Sequence, residues 1–132
     1  MTMPKPFSNV LWTINITLAV LWIYQGIVPK LIYHAADEQR LWQMNGFEEM
    51  IMLFMIEIAG YAEIIFGAIF LIFKQSKILH ILNILAMCGL GLLIIVTDIQ
   101  YFQQAFNPFV MNVAMAMLSI VALQLLNIEN KS

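Results

Sequence analysis

Two carboxylates, Glu57 and Glu63, sit where an acid is hard to accommodate. Both fall inside residues 51–73, an apolar stretch of roughly bilayer-spanning length. A carboxylate near the centre of such a helix costs about 2.5–3.5 kcal/mol on insertion scales, so each acid needs a compensating partner. At about 100° per residue Gly60 and Gly67 share one helix face, with the two acids about 60° to either side of it. Glycine lets another helix approach closely, so both acids are expected to point into protein rather than lipid. Lys30 stands alone as a cation at the outer end of a span and is the natural partner of Glu57 or Asp98. Glu63 has no basic residue at its own level. Because burial disfavours a charged carboxyl, Glu63 is expected to be protonated, or hydrogen-bonded to Asn15, Asn83, Tyr24 or Tyr61. A neutral buried carboxyl of this kind can bind a carbonyl or hydroxyl, or carry a proton.

The other reactive residue types assemble no catalytic set. One cysteine, Cys88, excludes an internal disulfide and a C-x-x-C pair, and it lies off the polar face of its helix. His34 stands near Asp37 and Glu38, but the group is not read as a metal site. His80 reads as a solvated or capping residue near the end of a span. The two histidines fall on opposite sides of the membrane and so cannot ligate one haem iron. Ten methionines read as filler among apolar helices. There is no glycine-rich phosphate loop, no H-E-x-x-H and no Ser/His/Asp grouping. No catalytic residue, no metal ligand and no nucleic-acid surface is assigned.

The elements that must position the acids follow from composition. The chain has 132 residues, is 62% hydrophobic and only 11% charged, with mean hydropathy +0.86; soluble domains carry about 25% charged residues. The reading is one all-α transmembrane domain over 1–132, an antiparallel four-helix bundle with spans at about 7–28, 51–73, 78–97 and 109–127. The first apolar run is longer than the core of a cleaved signal and reads as a span. Residues 31–50 form the one long polar connection. A short interfacial helix is expected there, with Asp37 as N-cap, Gly46 just past its end, and Trp42 and Phe47 at headgroup depth. Each span carries a stripe of small and polar residues at helical spacing. Span one has Asn15, Ala19, Trp22 and Gly26, with Gln25 at its edge; span three has His80, Asn83, Met87, Gly91 and Asp98; span four has Asn112, Ala116 and Ser119. These converge on a polar seam around Glu63 that also takes in Glu57, Lys30, Asp98, Asn15, Gln25, Trp22, Tyr61 and Asn83. Gly26, Gly60, Gly67 and Gly91 are assigned to helix packing. By depth, Gln25, Lys30, Glu57, Asp98 and Asn112 belong to the outer part, Glu63 and Asn15 lie deeper, and His80, Asn83 and Gln124 lie nearer the cytoplasm. Four spans put both termini on one side. Lys5, Lys74, Lys77 and Lys131 against Lys30 and Arg40 then favour cytoplasmic termini.

Two segments resemble a known family. Trp22-Ile-Tyr-Gln-Gly26-Ile-Val-Pro-Lys30-Leu31, followed by His34 and Asp37-Glu38, is similar to the first helix and loop of DoxX-like membrane proteins. Gly60-Tyr-Ala-Glu63-Ile-Ile-Phe-Gly67 resembles their second-helix pattern, G-x-x-E-x-x-x-G. The resemblance implies a small four-helix bundle of the bacterial inner membrane in which Gly26, Lys30, Glu63 and Gly67 hold recurrent positions. It also implies kinship with a subunit of quinone-linked sulfur oxidation, and more distantly with lipid- and sterol-handling bundles and redox enzymes such as vitamin K epoxide reductase. The paired cysteines of that redox branch are absent here. The leading expectation is therefore a non-catalytic module that binds a lipid or quinone-like molecule near Glu63, or a membrane subunit of a redox complex. Two alternatives stay open. One is a small proton-coupled transporter using Glu63, although the small multidrug resistance transporters carry their acid in the first helix. The other is a structural or assembly partner, in a homo-oligomer or with a redox enzyme.

Overall fold

The computed structural model describes residues 3–131 and folds them into five α-helices with no strand among the described residues. They are α1 (Lys5–Gly26), α2 (Ala36–Met44), α3 (Glu49–Ile72), α4 (Lys77–Thr97) and α5 (Pro108–Lys131), with a π-helical extension of α1 over Ile27–Ile32 and a 3-10 turn over Ile99–Gln103. Four stretches are long and apolar enough to cross a membrane: Lys5–Ile32, Glu49–Ile72, Lys77–Thr97 and Pro108–Asn130. Each begins slightly before the apolar run that marks it in the sequence. The first turn recruits a residue such as Lys5, Glu49, Lys77 or Pro108, which a composition window leaves out.

Local signals set the ends. Ser76 caps α4 by accepting from Leu79 N–H at 3.3 Å, and Asn107 caps α5 by accepting from Val110 N–H at 3.2 Å, with Pro108 in the first turn where its missing N–H is harmless. Past α2, Gly46 takes φ +83°, the left-handed conformation in which a side chain is strained and which commonly ends a helix. The N-cap of α2 is Ala35, not Asp37, which sits inside the first turn. The first span does not stop at Val28. Pro29 cannot donate to the α-helical ladder, and the backbone continues in the wider π register, Tyr33 N–H bonding Val28 C=O at 3.1 Å. A proline, or a π-bulge, is where such a change of register is expected. The extension carries Lys30 into the bundle, where it is buried.

Two close helix pairs build the bundle. α1 and α3 run in opposite directions with their backbones in near contact. A Cβ on Gly60 would meet Gly26 C=O at 2.9 Å, and one on Gly67 would meet Ala19 C=O at 2.9 Å. These three glycines therefore serve the packing role expected of them. Gly91 does not: a Cβ there has no atom within 4 Å. α4 and α5 also run in opposite directions. Asn83 reaches Met115 C=O, His80 reaches Ser119, and Lys77 reaches Asn127. Within the α1–α3 pair Trp22, Phe66 and Phe70 stack edge to face at centroid spacings of 5.0 and 5.2 Å, a geometry favoured by aromatic quadrupoles, and Phe70 meets the His80 ring of α4 at 5.4 Å.

Gly67→Val should therefore lower bundle stability by about 1–3 kcal/mol, as overpacking does, while Gly91→Ala should stay within about 0.5 kcal/mol of the parent. Reversible unfolding in mixed micelles followed by circular dichroism reads both.

Candidate functional site

The functional candidate is a cavity of about 530 Å³ at the end of the bundle that carries α2, within the roughly 300–1,000 Å³ usual for small-molecule sites. Its deep walls are apolar, from Met87, Leu90, Leu93, Ile94 and Met115; Leu41, Trp42 and Phe47 close it from α2 and the following loop. The polar groups gather at Gln25, Lys30, Glu38, Glu63, Tyr101 and Asn112.

Lys30 is the centre of this set. Its Nζ lies 3.1 Å from Glu63 Oε1 and 3.5 Å from Glu38 Oε1. This corrects the expectation that Lys30 would serve Glu57 or Asp98 and that Glu63 would lack a base. Relative to the Gly26–Gly60 contact, Lys30 and Glu63 are offset by about seven residues, roughly 10 Å along the axis. The Cα–Cβ bond leans toward a helix's own N-terminus. In oppositely directed helices, Lys30 thus leans inward and Glu63 leans outward to meet it. Asp98 instead takes Arg40, Nε to Oδ2 at 3.1 Å, and Glu57 Oε1 lies 3.4 Å from His34 Nε2, without hydrogen-bond geometry, so that His34 Nε2 too is buried and unpartnered, away from the cavity. Glu57 has a half-exposed side chain, so only Glu63 of the two acids is turned into protein.

α2 is held over the cavity by several bonds. Besides Lys30–Glu38 and Arg40–Asp98, Arg40 donates to Gln100 Oε1 at 3.2 Å, and the Tyr101 hydroxyl donates to Asp37 C=O. Burial, with the nearby carboxylates of Asp37 and Asp98, pushes the Tyr101 phenol up to about 12. Arg40, Glu38 and Tyr101 were not assigned to the site from the sequence, because only the docking of α2 brings them together there.

The remaining polar residues form a second system at the other end. Trp22 Nε1–H donates to Asn83 Oδ1 at 2.8 Å; Asn83 Nδ2 donates to Ser119 Oγ at 2.7 Å and to Met115 C=O at 3.1 Å. Ser119 Oγ meets His80 Nδ1 at 3.1 Å, and His80 Nε2 meets Asn15 Oδ1 at 3.1 Å. Asn15 Nδ2 in turn donates to Phe70 C=O at 3.2 Å and Lys74 C=O at 3.0 Å, at the end of α3. Because Asn15 presents its oxygen, the His80 proton sits on Nε2 and Nδ1 accepts from Ser119. His80 is therefore a buried link, not a solvated or capping residue. Asn15 and Asn83 are committed to this chain and not to Glu63, while Tyr24 and Tyr61 lie exposed on the outer surface. Gln25 lines the cavity, its Nε2 donating to Met111 Sδ at 3.2 Å.

Satisfaction separates the two systems. The chain from Trp22 to Lys74 is fully paired, whereas Glu63 Oε2 and Asn112 Nδ2 are buried with no hydrogen-bond partner among the described residues. Both residues line the cavity. A buried polar atom without a partner costs about 1–3 kcal/mol, so these two atoms mark where a ligand's polar end is worth most. Among the described residues no three His, Cys, Asp or Glu side chains converge on a metal position.

Replacing Lys30 with Met should strip Glu63 of its cation and destabilise the bundle by about 3 kcal/mol. In a double-mutant cycle with Glu63→Gln, a coupling of about 1 kcal/mol or more is expected. For Tyr101, a phenol that holds its proton more tightly when folded contributes stability that is complete below its ordinary value near 10 and is lost as pH rises through about 12. The stability difference between wild type and Tyr101→Phe should shrink across that interval, as read by unfolding at stepped pH.

A family model described as DoxX-like matches residues 19–120, which takes in the Gly26–Gly60 contact, Lys30, Glu63 and the polar stripes of α4 and α5. No curated protein and no solved structure matches the chain. With four apolar spans and most of its length inside that match, this chain is an integral membrane protein of the DoxX-like family.

Proposed function

We propose that this protein is a non-catalytic membrane module that binds a neutral amphipathic molecule, a quinone or a neutral lipid, in the cavity beneath α2. The observation that carries this reading is the pair of unpartnered buried atoms, Glu63 Oε2 and Asn112 Nδ2, facing one largely apolar space. Asn112 Nδ2 donates to a ligand carbonyl or hydroxyl; Glu63 Oε2 receives a hydroxyl, or donates to a carbonyl when it carries a proton. Apolar contacts from Met87, Leu93 and Met115 suit a ring or chain. Charge favours a neutral head: Asp37, Glu38 and Glu63 line the space against the single cation Lys30, so a phosphate or carboxylate head meets net repulsion. The Lys30–Glu63 contact also favours binding over proton-coupled transport, since a transport acid must be free to exchange its proton. On the positive-inside count we hold that both termini face the cytoplasm of a bacterial inner membrane, with α2 outside. A role beside a redox enzyme fits a module that presents a quinone without reacting with it.

Trp22 and Trp42 line the cavity and report on its occupant. Titrating the detergent-solubilised protein with a decyl-tailed, fully ring-substituted benzoquinone should give saturable tryptophan quenching. Asn112→Leu should weaken that binding by about tenfold or more, the loss expected for one buried hydrogen bond. Absence of saturable quenching, with no amphiphile retained in native mass spectra of membrane-extracted protein, would contradict the reading.

A further inference from the structure

An amphiphile dissolved in the bilayer must reach a cavity that α2 covers from one end. Leaving through that cover would break Lys30–Glu38 and Arg40–Asp98. It would also expose the molecule's tail to water, an opposition of roughly fourfold per methylene. The sides of the bundle offer another route. A second space of about 380 Å³ lies on the flank of α4 and α5, with a lining that includes Cys88, Gly91, Ile95, Phe109 and Ala116. Met87 and Asn112 line both this groove and the main cavity. Asn112 is 6% exposed, and its unpartnered Nδ2 stands in the wall between the two spaces. One turn along α4 from Met87, Gly91 leaves the groove open, since no side chain or neighbouring helix lies within 4 Å of where its Cβ would be. Met87 is the other shared residue, and its unbranched thioether can change rotamer at little cost.

From these contacts we infer that the α4–α5 groove holds the hydrocarbon tail of the cavity's ligand, and that the ligand passes laterally between membrane and cavity beside Met87, Gly91 and Asn112. The inference rests on the amphiphile reading of the cavity and adds the route and the tail site. Met87 and Asn112 stand between the two spaces, so with the Met87 side chain turned aside one molecule spans both, its head on Asn112 and Glu63 and its tail along Gly91 and Ile95. A second helix seated in the groove would account for its apolar lining. It would leave the buried Asn112 amide at the junction unexplained. The tail loses nothing by the exchange, because acyl chains and the groove are equally apolar.

Cys88, the one thiol of the chain, is exposed on this groove and serves as a probe of the wild-type protein. Its alkylation by N-ethylmaleimide is followed by intact mass spectrometry in the presence of two benzoquinones. Both are fully ring-substituted so that neither adds to thiols; one carries a decyl tail and the other a methyl in its place. Tryptophan quenching is expected to show that both bind, while only the decyl compound slows alkylation, by about tenfold if the tail occupies the groove for most of the time. Gly91→Phe should weaken equilibrium binding of the decyl compound by about tenfold or more relative to the tail-less compound, as filling a subsite does. Equal alkylation with both compounds bound would overturn the tail site and the route while leaving the cavity reading intact. Alkylation that slows with protein concentration and no quinone would show a second copy on the groove, and overturns the inference too. If neither quinone quenches, the cavity reading itself fails and the lateral route falls with it.

Discussion

A lysine shared by two carboxylates holds the α2 end of this protein together. Lys30 reaches Glu63 on α3 and Glu38 on α2 from a single Nζ. The compensation demanded by an acid within a membrane span and one of the bonds that dock the short helix above it therefore share one atom. The contact follows from two backbone facts. The π-helical extension over Ile27–Ile32 keeps Lys30 on a helix and inside the bundle, and the opposed directions of α1 and α3 make their side chains lean toward one another. The glycine contacts that bring those two helices close are what make the reach short enough.

Polar residues are distributed between two tasks. At the end away from α2, Asn15, His80, Ser119, Asn83 and Trp22 draw on α1, α4 and α5 and end on carbonyls at the C-terminal end of α3. Such a network, with every member paired, fixes how helices sit where hydrophobic burial gives little direction. At the α2 end the polar set is left incomplete at Glu63 Oε2 and Asn112 Nδ2, next to an apolar cavity. Trp22 belongs to both, lining the cavity with its ring and anchoring the paired network with its N–H. The pocket is thus built against a rigid wall.

Much of this was legible in the residues. Four spans follow from apolar length, and the buried faces of α1 and α5 follow from the spacing of Asn15, Ala19, Trp22 and Gly26 and of Asn112 and Ser119. Gly60 and Gly67 marked the face of α3 that another helix approaches, though not that the helix is α1. What was not legible is which polar residue meets which. Depth counted along the helix treats a side chain as a point at its Cα, and so missed that Lys30 and Glu63 close a gap of roughly 10 Å between them. The partners of Asp98 and Glu57 come from Arg40 and His34, in a connection whose path no local pattern specifies. His80 lies near a span end and looked solvated; it is buried because Asn15 and Ser119 from two other helices meet it there. Gly91 shares a stripe with packing residues but has no helix against it, since the periodicity of a face does not say how near its neighbour comes.

The clearest single measurement is the proximity of Lys30 and Glu63 in a lipid bilayer. Solid-state magnetic resonance on protein carrying 15Nζ-lysine and 13Cδ-glutamate, in a Glu38→Gln background, reads that contact as the recoupling lost on Glu63→Gln. Strong nitrogen–carbon recoupling that vanishes in Glu63→Gln is the predicted result. A Lys30 signal without recoupling to any carboxyl, and unchanged by Glu63→Gln, would contradict the shared cation and with it the cavity built around it.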